Sequence, residues 1–115
     1  MVKGEKWLAS KVDKPEINIA GAWYSPEWGS TTFKQEGRNV TGMLGDYPVK
    51  GVVSGKSVYL LMYWDNIVHY FADLKSLDKE TLKGLYSKYE NIDELFDPYD
   101  VKKKEMSVKK LYNLP

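Results

Sequence analysis

Between Ile17 and Tyr89, short apolar-rich segments alternate with polar turn signals at close and regular spacing. The turns fall at Glu36-Gly37-Arg38-Asn39, Gly45-Asp46, Ser54-Gly55-Lys56-Ser57, Asp65-Asn66 and Ser76 to Lys79. No stretch in this range sustains a helical period over three turns, so the segments read as strands of an all-β domain. The pattern predicts eight strands, at 17–24, 29–35, 39–45, 48–53, 57–64, 67–75, 81–89 and 104–112. Asp65-Asn66 leaves only two residues for a hairpin, and both types tolerate positive φ.

A four-fold echo separates a closed sheet from a flat one. Ile19-Ala-Gly21, Val40-Thr-Gly42, Val49-Lys-Gly51 and Leu82-Lys-Gly84 each place an aliphatic residue two positions before a glycine. Period-two geometry turns both members of each pair to one face, which continues through Trp23, Leu44, Val53 and Tyr86. Glycine weakens a strand, so four in one register imply bends or close backbone approach, as a coiling, closing sheet requires. The expected fold is an eight-stranded antiparallel up-and-down barrel. Residues 1–15 form a polar lead-in and residues 16–115 the single β-barrel domain.

The segment 57–64 is apolar on both faces: Val58, Leu60, Met62 and Trp64 alternate with Tyr59, Leu61 and Tyr63. Its outer face therefore needs a cover. Two covers are available: the lead-in around Trp7-Leu8, and a short helical turn near 91–97. In the latter, Ile92, Leu95 and Phe96 follow a capping Asn91 at helical spacing.

Composition narrows the functional classes. There are 115 residues, 43% hydrophobic and 29% charged, with no cysteine, so disulfides and thiolate chemistry are excluded. The longest apolar run, Val58 to Trp64, is far short of the roughly 20 residues of a spanning helix. Net charge is +1, but residues 1–14 carry +2, residues 101–115 carry +4 and the body −5. Basic ends on an acidic body are not the concentrated basic face that nucleic acid requires. The polar, lysine-rich lead-in suits a tether behind a processed envelope or exported end, and the compartment stays open.

The residues Gly21-Ala-Trp23-Tyr24, Phe33-Lys-Gln-Glu-Gly37 and Val40-Thr-Gly42-Met-Leu44 resemble the opening strands of lipocalin-like and avidin-like meander barrels. Later segments, from Val49-Lys-Gly51 through Gly55, Thr81 through Tyr86 and Met106 through Leu111, are similar to strands of small bacterial lipocalin-like domains. The resemblance implies a barrel with at most a small apolar ligand, and it implies no reaction. Ser25-Pro26-Glu27 stands where the biotin-contacting pattern of avidins begins, and that pattern is not matched.

Candidate chemistry is sparse. His69 is the only histidine; alternation places it on a face with Ile67, Phe71 and Asp73, as a packed or edge residue or else as a pH-sensitive group or base. The acids Asp93, Glu94, Asp97 and Asp100 lack the glycine and terminal glutamate of a calcium loop and suit a first helical turn. Gly55-Lys56-Ser57 lacks the glycine spacing and following helix of a phosphate loop, and no serine has a recognisable base partner. Asn39-Val40-Thr41 matches a glycosylation sequon but reads as a hairpin turn entering a strand. Lys102 to Lys104 with Lys109-Lys110 read as gatekeeping charge around the last strand.

The leading expectation is a non-enzymatic barrel that binds a small apolar or amphipathic molecule, without metal or cofactor. Its contact residues are taken to be Trp23, Trp64, His69 and Tyr86. The alternative is a barrel filled by its own side chains that docks a protein or envelope partner through Trp28, Tyr47 and Tyr63.

Overall fold

The computed structural model describes residues 3–89 and 103–111. A short helix, α1 (Lys3–Ala9), precedes eight strands: β1 (Gly21–Ser25), β2 (Gly29–Glu36), β3 (Asn39–Leu44), β4 (Tyr47–Ser54), β5 (Ser57–Trp64), β6 (Ile67–Asp78), β7 (Thr81–Lys88) and β8 (Lys104–Lys110). Each strand pairs antiparallel with its sequence neighbour, and β1 pairs with β8 to close the barrel. The all-β, up-and-down architecture expected from the turn spacing is the one observed. The helical turn expected near 91–97, and the acids Asp93 to Asp100 with it, lie outside the described residues.

Turn chemistry sets the register. Asp65 and Asn66 take φ values of 51° and 62°, as a two-residue hairpin demands of its central pair. Ile19, Val40, Val49 and Leu82 all point inward and are buried, with Trp23, Leu44, Val53, Val58, Leu60, Met62, Leu74, Met106 and Val108 beside them. The glycine echo finds its reason in the sheet. A Cβ on Gly84 would stand 1.9 Å from the Asp73 carbonyl oxygen, and one on Gly42 would stand 2.0 Å from that of Thr32. At Gly42, Gly51 and Gly84 the close approach is thus to the backbone of the adjacent strand, which lets the sheet coil tightly enough to close. Gly21 abuts no backbone and instead takes a φ of 135°.

The first strand begins at Gly21 and not at residue 17, because side chains occupy the backbone of the preceding segment. Gln35 accepts from the Ile19 amide at 2.8 Å and donates to the Ile17 carbonyl at 3.1 Å. This holds Ile17 to Ile19 across one mouth of the barrel.

The doubly apolar β5 is covered as its pattern requires. A second cluster of Trp7, Leu8, Val52, Leu61, Val68, Phe71 and Tyr89 forms outside the barrel, with Tyr59 and Tyr63 packed against it. Sequence reading offers the lead-in as one of two covers but does not foresee its helix. Gly4, Trp7 and Leu8 stand at i, i+3 and i+4, so one face of α1 is buried. Seven residues are too few to be helical alone, so tertiary contacts hold the helix. The Gly4 amide donates to the Tyr89 hydroxyl at 3.1 Å, Lys50 lies 3.3 Å from Glu5, and the Arg38 guanidinium donates to the Leu8 and Lys11 carbonyls. From α1 the chain runs to a parallel bridge between Pro15 and Gly55 and then across the mouth into β1.

Candidate functional site

Among the described residues, the inward register leaves no central lumen between the two ends of the barrel: the side chains from Val40, Leu44, Val53, Val58, Leu60, Met62 and Leu74 meet there, each with at most 1% exposure. Any ligand chemistry is therefore confined to the ends and the outer surface. The two ends differ in character.

At the end where β1 begins, Ile17, Ile19, Trp23, Leu77 and Leu82 form the apolar part of a recess of about 550 Å3. Its rim carries Lys56, Lys79 and Lys110 together with Glu16 and Asp78. Trp23 is only 2% exposed; its indole N–H donates to the Ile19 carbonyl at 2.8 Å, and its ring packs 6.2 Å from Phe33. The Lys110 ammonium sits 5.8 Å from the centroid of the same ring, within the range of a cation–π contact. We call this the lysine end.

The opposite end is closed by aromatic rings. Trp28, carried by the turn between β1 and β2, packs edge-to-face against Tyr47 at 5.4 Å and against Tyr70 and Tyr86 at 5.1 Å each. Tyr47 also meets Tyr70 at 5.5 Å and Trp64 at 5.6 Å. The Trp28 indole nitrogen is buried with no hydrogen-bond partner, and three tyrosine rings surround it. Partial burial, the neighbouring Tyr70 hydroxyl and Asp46 together raise the Tyr47 phenol above its ordinary range. Beside this cluster, Asp46, Pro48, Trp64, Asp65, Ile67 and His69 line a shallow depression of about 620 Å3.

The four residues expected to share a ligand are thus divided. Trp23 belongs to the lysine end, whereas Trp64 and His69 share the depression at the aromatic end. Tyr86 reaches Trp64 only indirectly, through Trp28 or Tyr70 and then Tyr47. Of the three aromatics expected to dock a partner, Trp28 and Tyr47 pack against the barrel core and Tyr63 against the α1 cluster.

His69 does not share a face with Phe71 and Asp73 as alternation predicts. The β5–β6 register shifts between Met62 and Tyr63, pairing Met62 with Tyr70 but Tyr63 with Val68. Val68 and Phe71, three apart, both join the outer cluster, so the extra residue of a β-bulge breaks the alternation at His69.

Sequence reading did not pick out the lysines of the recess, or Asp46 and Asp65 beside Trp64. All but Lys110, which ends β8, stand in or next to a turn, where solvation alone accounts for a charge. The only available signal is that alternate turns meet at the same end of an up-and-down barrel.

Outside the barrel, a void of about 50 Å3 lies among Trp7, Lys11, Phe71, Asp73, Leu85, Tyr86 and Lys103. Desolvation raises the Asp73 carboxyl above its usual range, while Lys11, Lys103 and Lys75 act against that rise. Among the described residues, no group of three or more His, Asp or Glu side chains is placed to hold a metal ion. No helix among them is long and apolar enough to cross a membrane. Comparison of the chain with protein-family models, curated proteins and solved structures finds no match.

Proposed function

We propose that the protein is a non-enzymatic binding barrel that takes a small amphipathic molecule at the lysine end, with an anionic head among the rim lysines. The observation that carries this reading is the recess itself. Its volume of about 550 Å3 falls within the range typical of small-molecule sites, roughly 300–1,000 Å3. Apolar side chains form its inner part, and Lys56, Lys79 and Lys110 stand at its rim. An alkyl chain laid against Ile17, Leu77 and Leu82 would gain about 25 cal/mol per Å2 of apolar surface removed from water. A carboxylate or phosphate head would draw the Lys110 ammonium away from the Trp23 ring. The reading agrees with the lipocalin-like resemblance of the Gly21-Ala-Trp23 opening, and with it a bacterial, exported origin, but moves the ligand from the barrel centre to one mouth.

The test is titration with a fluorescent fatty acid, followed by tryptophan emission, with the corresponding fatty alcohol as a control. Saturable one-to-one binding, weakened about tenfold in Lys110→Glu and in the alcohol, supports the reading. A flat titration, or equal binding of acid and alcohol by both proteins, rules it out.

The packed interior favours a second reading, an interaction module with no small ligand. It would show itself as self-association or capture of a defined partner in gel filtration and cross-linking, with the fatty acid titration flat.

A further inference from the structure

We propose that the depression at the aromatic end binds an alkylammonium cation over the face of Trp64, independently of the lysine end. Trp64 is 52% exposed although it is the largest apolar side chain on that rim. It is also held in place. Its ring leans on Tyr47 at an interplanar angle of 56°, and Tyr47 is braced in turn by Trp28 and Tyr70. A half-exposed, rigidly backed indole is the best side-chain surface for a cation, because its ring face carries the negative part of the quadrupole.

The charges around it have one sign. Asp46 comes from the β3–β4 turn and Asp65 from the β5–β6 turn, and both line the depression with Trp64, Pro48, Ile67 and His69. None of these six is a lysine or arginine. The positive φ of Asp65 belongs to the two-residue turn, so its position beside Trp64 is built into the hairpin. The Asp46 field reaches the Tyr47 hydroxyl and so extends to the ring that supports Trp64.

The mixture of groups selects the kind of cation. A hard metal ion takes six or more oxygen ligands, and here half of the lining (Trp64, Pro48 and Ile67) is apolar. A methylated or alkyl-substituted ammonium uses both kinds of group: its carbon shell removes Ile67, Pro48 and the indole face from water, and its charge meets the two carboxylates. The depression, about 620 Å3 and shallow, accommodates such a head group with a short chain.

The experiment uses the full chain and choline as the probe, with its uncharged carbon isostere, 3,3-dimethylbutan-1-ol, as the comparison. Binding is followed by the shift of the Trp64 indole N–H resonance, identified by its loss in Trp64→Leu. The expected result is saturation by choline in the millimolar range, with the isostere at least about tenfold weaker. Asp46→Asn and Asp65→Asn should each weaken choline about threefold, and Lys110→Glu at the far end should leave it unchanged. Circular dichroism of each variant establishes that it is folded. Equal binding of choline and isostere overturns the proposal, as does indifference to both aspartate substitutions. So does the absence of saturation below about 50 mM choline, even where a lysine-rich peptide binds.

Discussion

The side chain of Glu27 accepts a 2.8 Å hydrogen bond from the backbone amide of Ser107, eighty residues along the chain. It does so where the barrel seam lacks strand pairing. The register of β1 and β8 covers only Trp23 with Lys110 and Tyr24 with Lys109, extended by the Leu111 amide on the Ala22 carbonyl. Beyond Tyr24 the β1–β2 turn diverges, and the Glu27 carboxylate takes the place of a strand carbonyl. A hydrogen bond to a charged group contributes about 1.5–3 kcal/mol. Because this one is exposed, the lower end applies. Glu27→Ala should lower stability by about 1–2 kcal/mol, and hydrogen exchange at the Ser107 amide should quicken more than at Lys109. Equal protection of both amides in the variant would show that the carboxylate does not hold the seam.

Gly84 makes a steeper prediction. An added methyl would stand 1.9 Å from the Asp73 carbonyl oxygen and 2.8 Å from the Leu74 Cα, both backbone atoms. Neither can yield without breaking the β6–β7 ladder. Gly84→Ala should therefore cost more than about 3 kcal/mol in chemical denaturation or prevent folding altogether. Gly37→Ala tests the contrast: its φ of 62° strains a side chain, but nothing lies within 4 Å of the added atom, so a cost nearer about 1 kcal/mol is expected.

Trp28 separates ring packing from its unpaired nitrogen. Trp28→Ala removes the ring against which Tyr47, Tyr70 and Tyr86 pack and should cost about 3–5 kcal/mol. Trp28→Phe also removes the buried N–H that has no partner, which offsets part of the lost area. The phenylalanine variant should thus fall within about 1.5 kcal/mol of the parent in urea denaturation. A loss as large as that of alanine would mean that the indole nitrogen is favourably placed among the tyrosine faces.

Asp73 predicts a pH dependence whose sign follows from partial desolvation of its carboxyl; the side chain keeps an exposed face, so the effect is small. Its folded carboxyl binds the proton more tightly than in the unfolded chain, because desolvation outweighs the attraction of Lys11, Lys103 and Lys75. Stability from this group is fully present below the unfolded value of about 4 and is lost as pH rises through the raised folded value. Asp73→Asn should flatten that decline and raise the melting temperature at pH 7. A lower melting temperature for the variant at pH 7 would show that the lysines dominate.

The barrel was legible in the sequence because its information is local and repeated. Turn residues recur at Gly45-Asp46 and Asp65-Asn66, and the aliphatic-glycine pairs mark one face in four strands. The parts that were not legible depend on single long-range events. A lysine-rich segment of seven residues gives no periodic signal, so α1 becomes a helix only where Trp7 and Leu8 meet Leu61 and Phe71. The early end of the predicted first strand reflects Ile17 and Ile19, which are apolar and strand-like but are held by the Gln35 side chain. One inserted residue at His69 reverses the face of everything N-terminal to it in β6, and composition carries no mark of it. Trp23, Trp64, His69 and Tyr86 are plausible contacts taken one at a time. Their separation follows from the direction in which each strand runs, which a list of residues does not encode.

The up-and-down connectivity also sets the order in which the molecule is built. Every ladder except the last joins neighbours in the chain, so the successive hairpins from β1 to β7 can zip as soon as each is synthesised, at little loop-closure cost. The β1–β8 ladder must wait for all of them. Until β8 emerges, β1 and β7 remain open edges on a nearly finished sheet. A nascent or partly unfolded chain is then exposed to exchanging its terminal strand with another copy, and the speed of that last closure governs how many chains escape it.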